Sequence, residues 1–230
     1  MILSWMTDGH IHGEYLAVES SPNRNQELIE IMISPPNVTD IIDVMQQKSY
    51  RVFSNKKGYD LNIVGIRSAQ IDQQVYNDWI TVFYMSDGRW NYFPFPGTTD
   101  PGSFYLQNPL NVRGTAILKP GQYRGSHKIG RHKNYKALQQ KKAVTVYRDD
   151  NRDGYLNTAN MEQDSGMFGI NIHRSNAHRR STVIGKWSAG CQVLQDPAHF
   201  RFLLDLCDLS AATFSNSFSY TLLEENDFLD

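Results

Sequence analysis

The stretch "NIHRSNAHRRSTVIGKWSAGCQV", residues 171–193, carries two side chains that could make and break acyl bonds: the Cys191 thiol and the His173 imidazole. A thiol attacks as the thiolate, and a neighbouring imidazole promotes its formation. Cys191 follows Ser188-Ala189-Gly190. Those small flanks leave room for an incoming carbonyl, and Gly190 permits a tight turn. The backbone N–H groups from Gly190 to Gln192 could then face the oxygen of that carbonyl. His173 ends the apolar, extended run "MFGINIHR", where a strand would deliver a side chain to the mouth of a site. The competing reading is a buried cysteine and an unrelated surface histidine. Cys207 has only the bland reading, because it lies on the apolar stripe of a helix with Phe200, Leu203 and Leu204.

Two metal patterns stand apart from this pair. "DDNRDG" at 149–154 sets Asp149, Asn151, Asp153 and Gly154 at positions 1, 3, 5 and 6 of a calcium loop. Position 12 is Asn160 rather than glutamate, and a strand precedes the loop, so an ordinary Asp-Gly turn explains it equally well. "GHIHG" at 9–13 offers His10 and His12 on one face of an extended segment, with no Cys, Asp or Glu cluster nearby to complete a site. "GSHKIGRHK" contains His127 and His132 but has no phosphate-loop spacing. There is no GxSxG and no Rossmann glycine pattern.

The elements that must position these groups are mainly strands. "YRVFS", "LNIVGIRS" and "WITVFYM" are rich in branched and aromatic residues. Asp87-Gly88 between "ITVFYMS" and "RWNYFPF" predicts a hairpin. "GTAILKPGQYRG" reads as strand, Pro-Gly turn, strand. "AVTVYRD" and "FSYTLLEE" are further strands. "NVTDIIDVMQQ" begins a short helix, and Asp196-Pro197 opens a longer one over about 197–209. The expected fold is mainly β with a few helices (α+β). Residues 1–60 read as an accessory region of unknown role, and 61–230 as the catalytic domain.

The 230 residues are 40% apolar, enough for a core at this size, and carry a net charge of −1. That balance argues against a nucleic-acid binder. Ten Lys and Arg with no acid lie between Arg113 and Arg148, a stretch that could meet carboxylates or be a solvated face. No apolar run reaches the length of a membrane span. The opening residues do not read as a secretory signal, which implies synthesis in a cytoplasm with free thiols. Oligomeric state is unreadable.

His173, fourteen intervening residues, then Ser188-Ala189-Gly190-Cys191 resembles the catalytic motif of the L,D-transpeptidase (YkuD-like) family. "KPGQYR" (119–124) and "FPGTTDPG" are similar to the family's upstream strand and turn, and residues from about 61 to 225 resemble YkuD-like proteins of bacteriophages and prophages. The resemblance implies a β-sandwich or curved sheet with a flanking C-terminal helix. It implies Cys191 as nucleophile, His173 as base, the Ser188 carbonyl orienting the imidazole, and Gly190 shaping the elbow. It implies the stem peptide of peptidoglycan as partner, with no cofactor required. Arg124, Lys128 and Arg131 would position its carboxylates, and Trp187 and Tyr123 would line the cleft. The sequence departs from the motif at Ala189, where the family has a second histidine, and at Val193, where it has a basic residue or Asn. The expected activity is a phage-type, endolysin-like peptidase working through a thioester and reaching the wall after release. The alternatives are a transpeptidase and a non-catalytic phage structural or wall-binding protein.

Overall fold

In the computed structural model, residues 34–70, 74–156, 158, 159 and 161–229 are described. The alternating and all-apolar runs of the sequence become eleven strands: β1 (Asn62–Arg67), β2 (Asp78–Ser86), β3 (Arg89–Thr98), β4 (Thr115–Leu118), β5 (Gly121–His132), β6 (Tyr135–Gln140), β7 (Val144–Asp149), β8 (Glu162–Gly166), β9 (Ile172–Arg174), β10 (Gln192–Leu194) and β11 (Phe218–Glu224). Eight of them close into a barrel in the order β1-β11-β5-β6-β9-β10-β3-β2, and β4-β7-β8 form a separate sheet. The architecture is therefore mainly β with a few helices. In place of a sandwich or one curved sheet, it pairs a closed barrel with a small second sheet.

The β2–β3 hairpin turns at Asp87 and Gly88, both at positive φ (51° and 73°), as a two-residue hairpin loop requires. The Pro-Gly turn at 120–121 acts differently. β4 pairs with β7, whereas β5 pairs with β11 and β6, so the turn passes the chain from one sheet to the other. "YRVFS" forms no strand. There the Asn62 side chain accepts from the Phe53 amide and donates to its carbonyl, and the Gln122 side chain does the same with Arg51, so two side chains take the place of a ladder.

Helix α1 (Val38–Gln47) is capped by Asn37, whose side chain accepts from the amides of Thr39 and Asp40. Its buried Ile41, Val44 and Met45 pack on Val64, Ile66, Phe83 and Leu223. The alternate residues of the same strands, Ile63, Ile80, Val82 and Leu222, join the main core. Burial on both faces explains why every residue of β1 is buried. Residues 38–45 thus share a core with the barrel, and packing continues across residue 60. Helix α2 (Ser103–Gln107) is one short turn. Helix α3 (Pro197–Thr213) starts at the Asp196 cap, which accepts from the Ala198 amide at 2.7 Å, and runs four residues past its expected end at 209. Phe200, Leu203, Leu204 and the fully buried Cys207 place its apolar stripe in the main core.

Candidate functional site

β9 and β10 lie side by side and parallel, with Ile172 opposite Gln192 and His173 opposite Val193. Cys191 is the residue before β10, so the pairing itself brings its sulfur beside β9. Three ligand atoms converge there: one ring nitrogen of His173, one of His132 and Sγ of Cys191 all lie within 4.8 Å of one another. The thiol and imidazole singled out in the sequence therefore meet, and a second imidazole joins them.

Each group is held by backbone geometry. His173 is only 2% exposed. Its Nδ1 lies 2.8 Å from the Arg174 carbonyl, which assigns the proton to Nδ1 and leaves the Nε2 lone pair free. Nε2 is buried without a hydrogen-bond partner. Tyr135 stands 3.1 Å from Nδ1 and donates its hydroxyl proton to the same Arg174 carbonyl. The Arg174 guanidinium covers the Tyr135 ring at 4.2 Å. The Cys191 thiol is half-buried and donates to the Gly169 carbonyl at 3.3 Å.

His132 and Tyr135 arrive on the tip of the β5–β6 hairpin, where Lys133 takes a positive φ of 53° and His132 pairs with Tyr135. The His132 ring stacks on His173 with centroids 4.0 Å apart and planes at 14°. The Asn171 side-chain amide donates to His132 Nδ1 at 3.1 Å. Read from sequence, this segment, part of the basic stretch without phosphate-loop spacing, has no place beside the catalytic pair, and so His132, Tyr135 and Asn171 were missed. The signal was the Lys133-Asn134 turn, which forces residues 132 and 135 together.

The electrostatics describe a neutral pair. Burial, then the neighbouring His132, Lys133 and Arg174, pushes the His173 imidazole down to about 3, against the raising effect of the Arg174 carbonyl. Burial pushes the Cys191 thiol up to about 11, opposed by the Asn171 amide and Lys133. At neutral pH the resting state is thiol beside imidazole, and no standing thiolate–imidazolium pair is stored. Attack thus needs the proton to leave as the sulfur moves.

Gly190 has φ +114°, and a Cβ there would overlap the Ala116 carbonyl oxygen of β4. Only glycine fits this elbow, as expected. Ser188 acts differently from the expectation. Its carbonyl accepts the Gly102 amide at 3.0 Å, and its hydroxyl donates to the Cys191 carbonyl at 2.8 Å and accepts the Gly190 amide at 3.2 Å. Ser188 pins the loop, and the carbonyl that orients the imidazole belongs to Arg174. Gln192 ties the loop inward: its side-chain amide donates to the Gly190 and Thr99 carbonyls, and its oxygen accepts from Tyr220 at 2.7 Å. Val193 is buried against Tyr76 and Ile184, so a core residue stands at that departure from the motif.

The expected carboxylate-binding cations do not gather. Arg131 sits on the site's hairpin, where its guanidinium donates to the Asn134 carbonyl. Arg124 lies seven strand residues away, about 23 Å along β5, with its guanidinium over Phe53. Other cations of the basic stretch are matched by acids outside it: Arg113 with Glu162 and Asp164, Arg148 with Asp164, Lys136 with Asp208. Tyr123 packs against the main core with its hydroxyl on the Lys119 and Thr145 carbonyls, so it does not line a cleft at Cys191. Trp187 is 42% exposed.

Two imidazoles and a thiolate are also a ligand set for a borderline-soft dication such as zinc, with a fourth position open. The calcium-type residues lie apart from this cluster: Asp149 ends β7, and Asn151 and Asp153 are on the loop between β7 and β8. Burial and the neighbouring Asp153 and Asp150 raise the Asp149 carboxyl to about 6. His10 and His12 lie outside the described residues. No family model, no curated protein and no solved structure matches the chain.

Proposed function

We propose that the chain is a cysteine acyl-transfer enzyme acting on peptide bonds of the bacterial cell wall, a phage-type peptidase resembling the YkuD-like family. The observation that carries this reading is the convergence of Cys191 Sγ and the His173 ring within 4.8 Å, with Nε2 unpartnered. His173 Nε2 takes the thiol proton as Sγ bonds to the carbonyl carbon of a stem peptide. The amides of Gly190 and Gln192 are already committed, to the Ser188 hydroxyl and the Asn171 carbonyl. The remaining donor of that trio for the oxyanion is the Cys191 amide. Collapse breaks the C–N bond, and the imidazolium returns its proton to the leaving amine, giving a thioester. Water then adds to the thioester carbon with His173 taking its proton. The acid departs and the proton returns to sulfur.

An amine in place of water would give a cross-link, the L,D-transpeptidase outcome. The departures from the motif at Ala189 and Val193 support a third reading, a wall-binding protein that has lost turnover. Incubation with defined muropeptides, read by mass, separates the three. Shortened stems mark a peptidase, joined stems a transpeptidase, unchanged stems a binder. Cys191→Ser should abolish the activity seen; full rate in that variant overturns the assignment.

A further inference from the structure

The β7–β8 connection holds a second constellation that the cysteine chemistry does not use. Asp149 is fully buried, and its carboxylate oxygens lack a well-formed hydrogen bond, with the Asn151 backbone amide alone favouring the charged form. A buried carboxylate in that state is costly unless something of opposite charge compensates it. The adjacent cation cannot do so. The Arg148 guanidinium is turned to Asp164 at 3.0 Å and to the Gly114 carbonyl. A cavity of about 340 Å³ opens beside Asp149, lined also by Arg148, Asp150, Asn151, Ala159, Met161 and Glu162. We propose that this cavity, together with the exposed turn at 153–155 beside it, forms a calcium site: Asp149 and Asn151 on the cavity wall and Asp153 on the turn supply side-chain oxygens, Tyr155 its carbonyl, and Glu162 the closing carboxylate.

Donor type and spacing both suit a hard dication that takes six to eight oxygens at 2.3–2.6 Å, roughly the usual calcium range. Residues at positions 1, 3 and 5 carry oxygen, and Gly154 at position 6 sits at φ +83° where such a loop turns sharply. Position 7 is Tyr155, the usual carbonyl donor. A strand follows the loop here, so the last ligand comes from Glu162 at the start of β8. Its side chain is largely exposed and held only by Arg113, which keeps its other partner Asp164 if Glu162 turns inward. The flexible oxygen set favours calcium over magnesium, which demands a near-ideal octahedron. The same small sheet contributes β4, whose Ala116 carbonyl abuts Gly190, so an occupied loop would brace one wall beneath the cysteine elbow.

The site stands independently of the acyl-transfer reading. Titration of calcium chloride into the full chain, followed by calorimetry, tests it. One saturable site is expected, with Kd on the order of 10⁻⁵–10⁻³ M. Asp149→Asn should weaken it at least about tenfold, as loss of a ligand charge lowers affinity. Asp153→Ala, on the exposed part of the loop, should do the same without disturbing the core. Calcium should also raise the wild-type melting temperature and leave that of Asp149→Asn unmoved. No saturable binding up to about 10 mM by the folded protein, above the weakest calcium modules, overturns the proposal. Unchanged affinity in both variants does so too, since the ion then sits elsewhere.

Discussion

Two buried polar clusters lie on either side of Gln192, and they handle their charges in opposite ways. On one side, Arg67 is ion-paired to Asp100 at 2.7 Å and donates to the Thr99 and Leu118 carbonyls. Asp78 accepts from the Ser68 and Thr99 amides and the Thr99 hydroxyl. Tyr220 closes that side by donating to Gln192. On the other side, the His173 Nε2 lone pair is buried with no partner, beside a protonated thiol. The first cluster sets its charges against an opposite charge or hydrogen bonds, with Asp100 Oδ1 held only through its ion pair to Arg67. The second satisfies its thiol through the Gly169 carbonyl but leaves the His173 Nε2 lone pair unmatched, at a cost in stability that the proposed role as base would explain.

The largest expected effect breaks the first cluster. Arg67→Met leaves Asp100 and Asp78 buried beside each other without a cation, and should cost roughly 3–5 kcal/mol in urea unfolding. Loss under about 1 kcal/mol would mean that this cluster is no better matched than the other.

The second test uses pH. The His173 pKa is lowered in the folded state, so the unfolded chain binds more protons from about pH 6.5 down to about 3. Stability therefore rises with pH through that window and is lost as pH falls. His173→Asn should flatten the acid limb by on the order of 2–3 kcal/mol between pH 6.5 and 4, with buried His127 contributing equally to both proteins. Parallel acid limbs would show that the imidazole is not desolvated.

Gly190→Ala sharpens the view of the elbow between the clusters. The positive φ and the overlap with the Ala116 carbonyl should cost about 1–3 kcal/mol and slow labelling of Cys191. The smallest effect is expected from Tyr220→Phe, about 1 kcal/mol for one buried hydrogen bond, with the Gln192 contacts to Gly190 and Thr99 left in place.

How much of this was legible in the sequence follows from which interactions are local. The Asp87-Gly88 turn and the Asp196 cap are decided within four residues, and both elements formed where their chemistry placed them. Cys191 and His173 were readable as a pair from the motif-like spacing of His173 and Ser188-Ala189-Gly190-Cys191, and the parallel pairing of β9 with β10 brings them together. The resting charge state was not readable, because it depends on His132 and Lys133 arriving from the β5–β6 hairpin and on burial that no single segment fixes. The Pro-Gly turn after Leu118 looked like a hairpin; only the pairing of β4 with β7 reveals a switch between sheets. Ser188 lay in the right motif, yet the orienting carbonyl came from Arg174, which neighbours the histidine and is set by β9 alone.

The most direct test is the labelling rate of Cys191 by a thiol-reactive amide at pH 7, read by intact mass in the wild type and in His173→Asn. With the thiol held near 11, roughly one molecule in 10⁴ carries a thiolate unaided, so reaction depends on the imidazole taking the proton. The account predicts at least a tenfold fall in the variant, the low edge of what a positioned base contributes. Equal rates in the two proteins would contradict it.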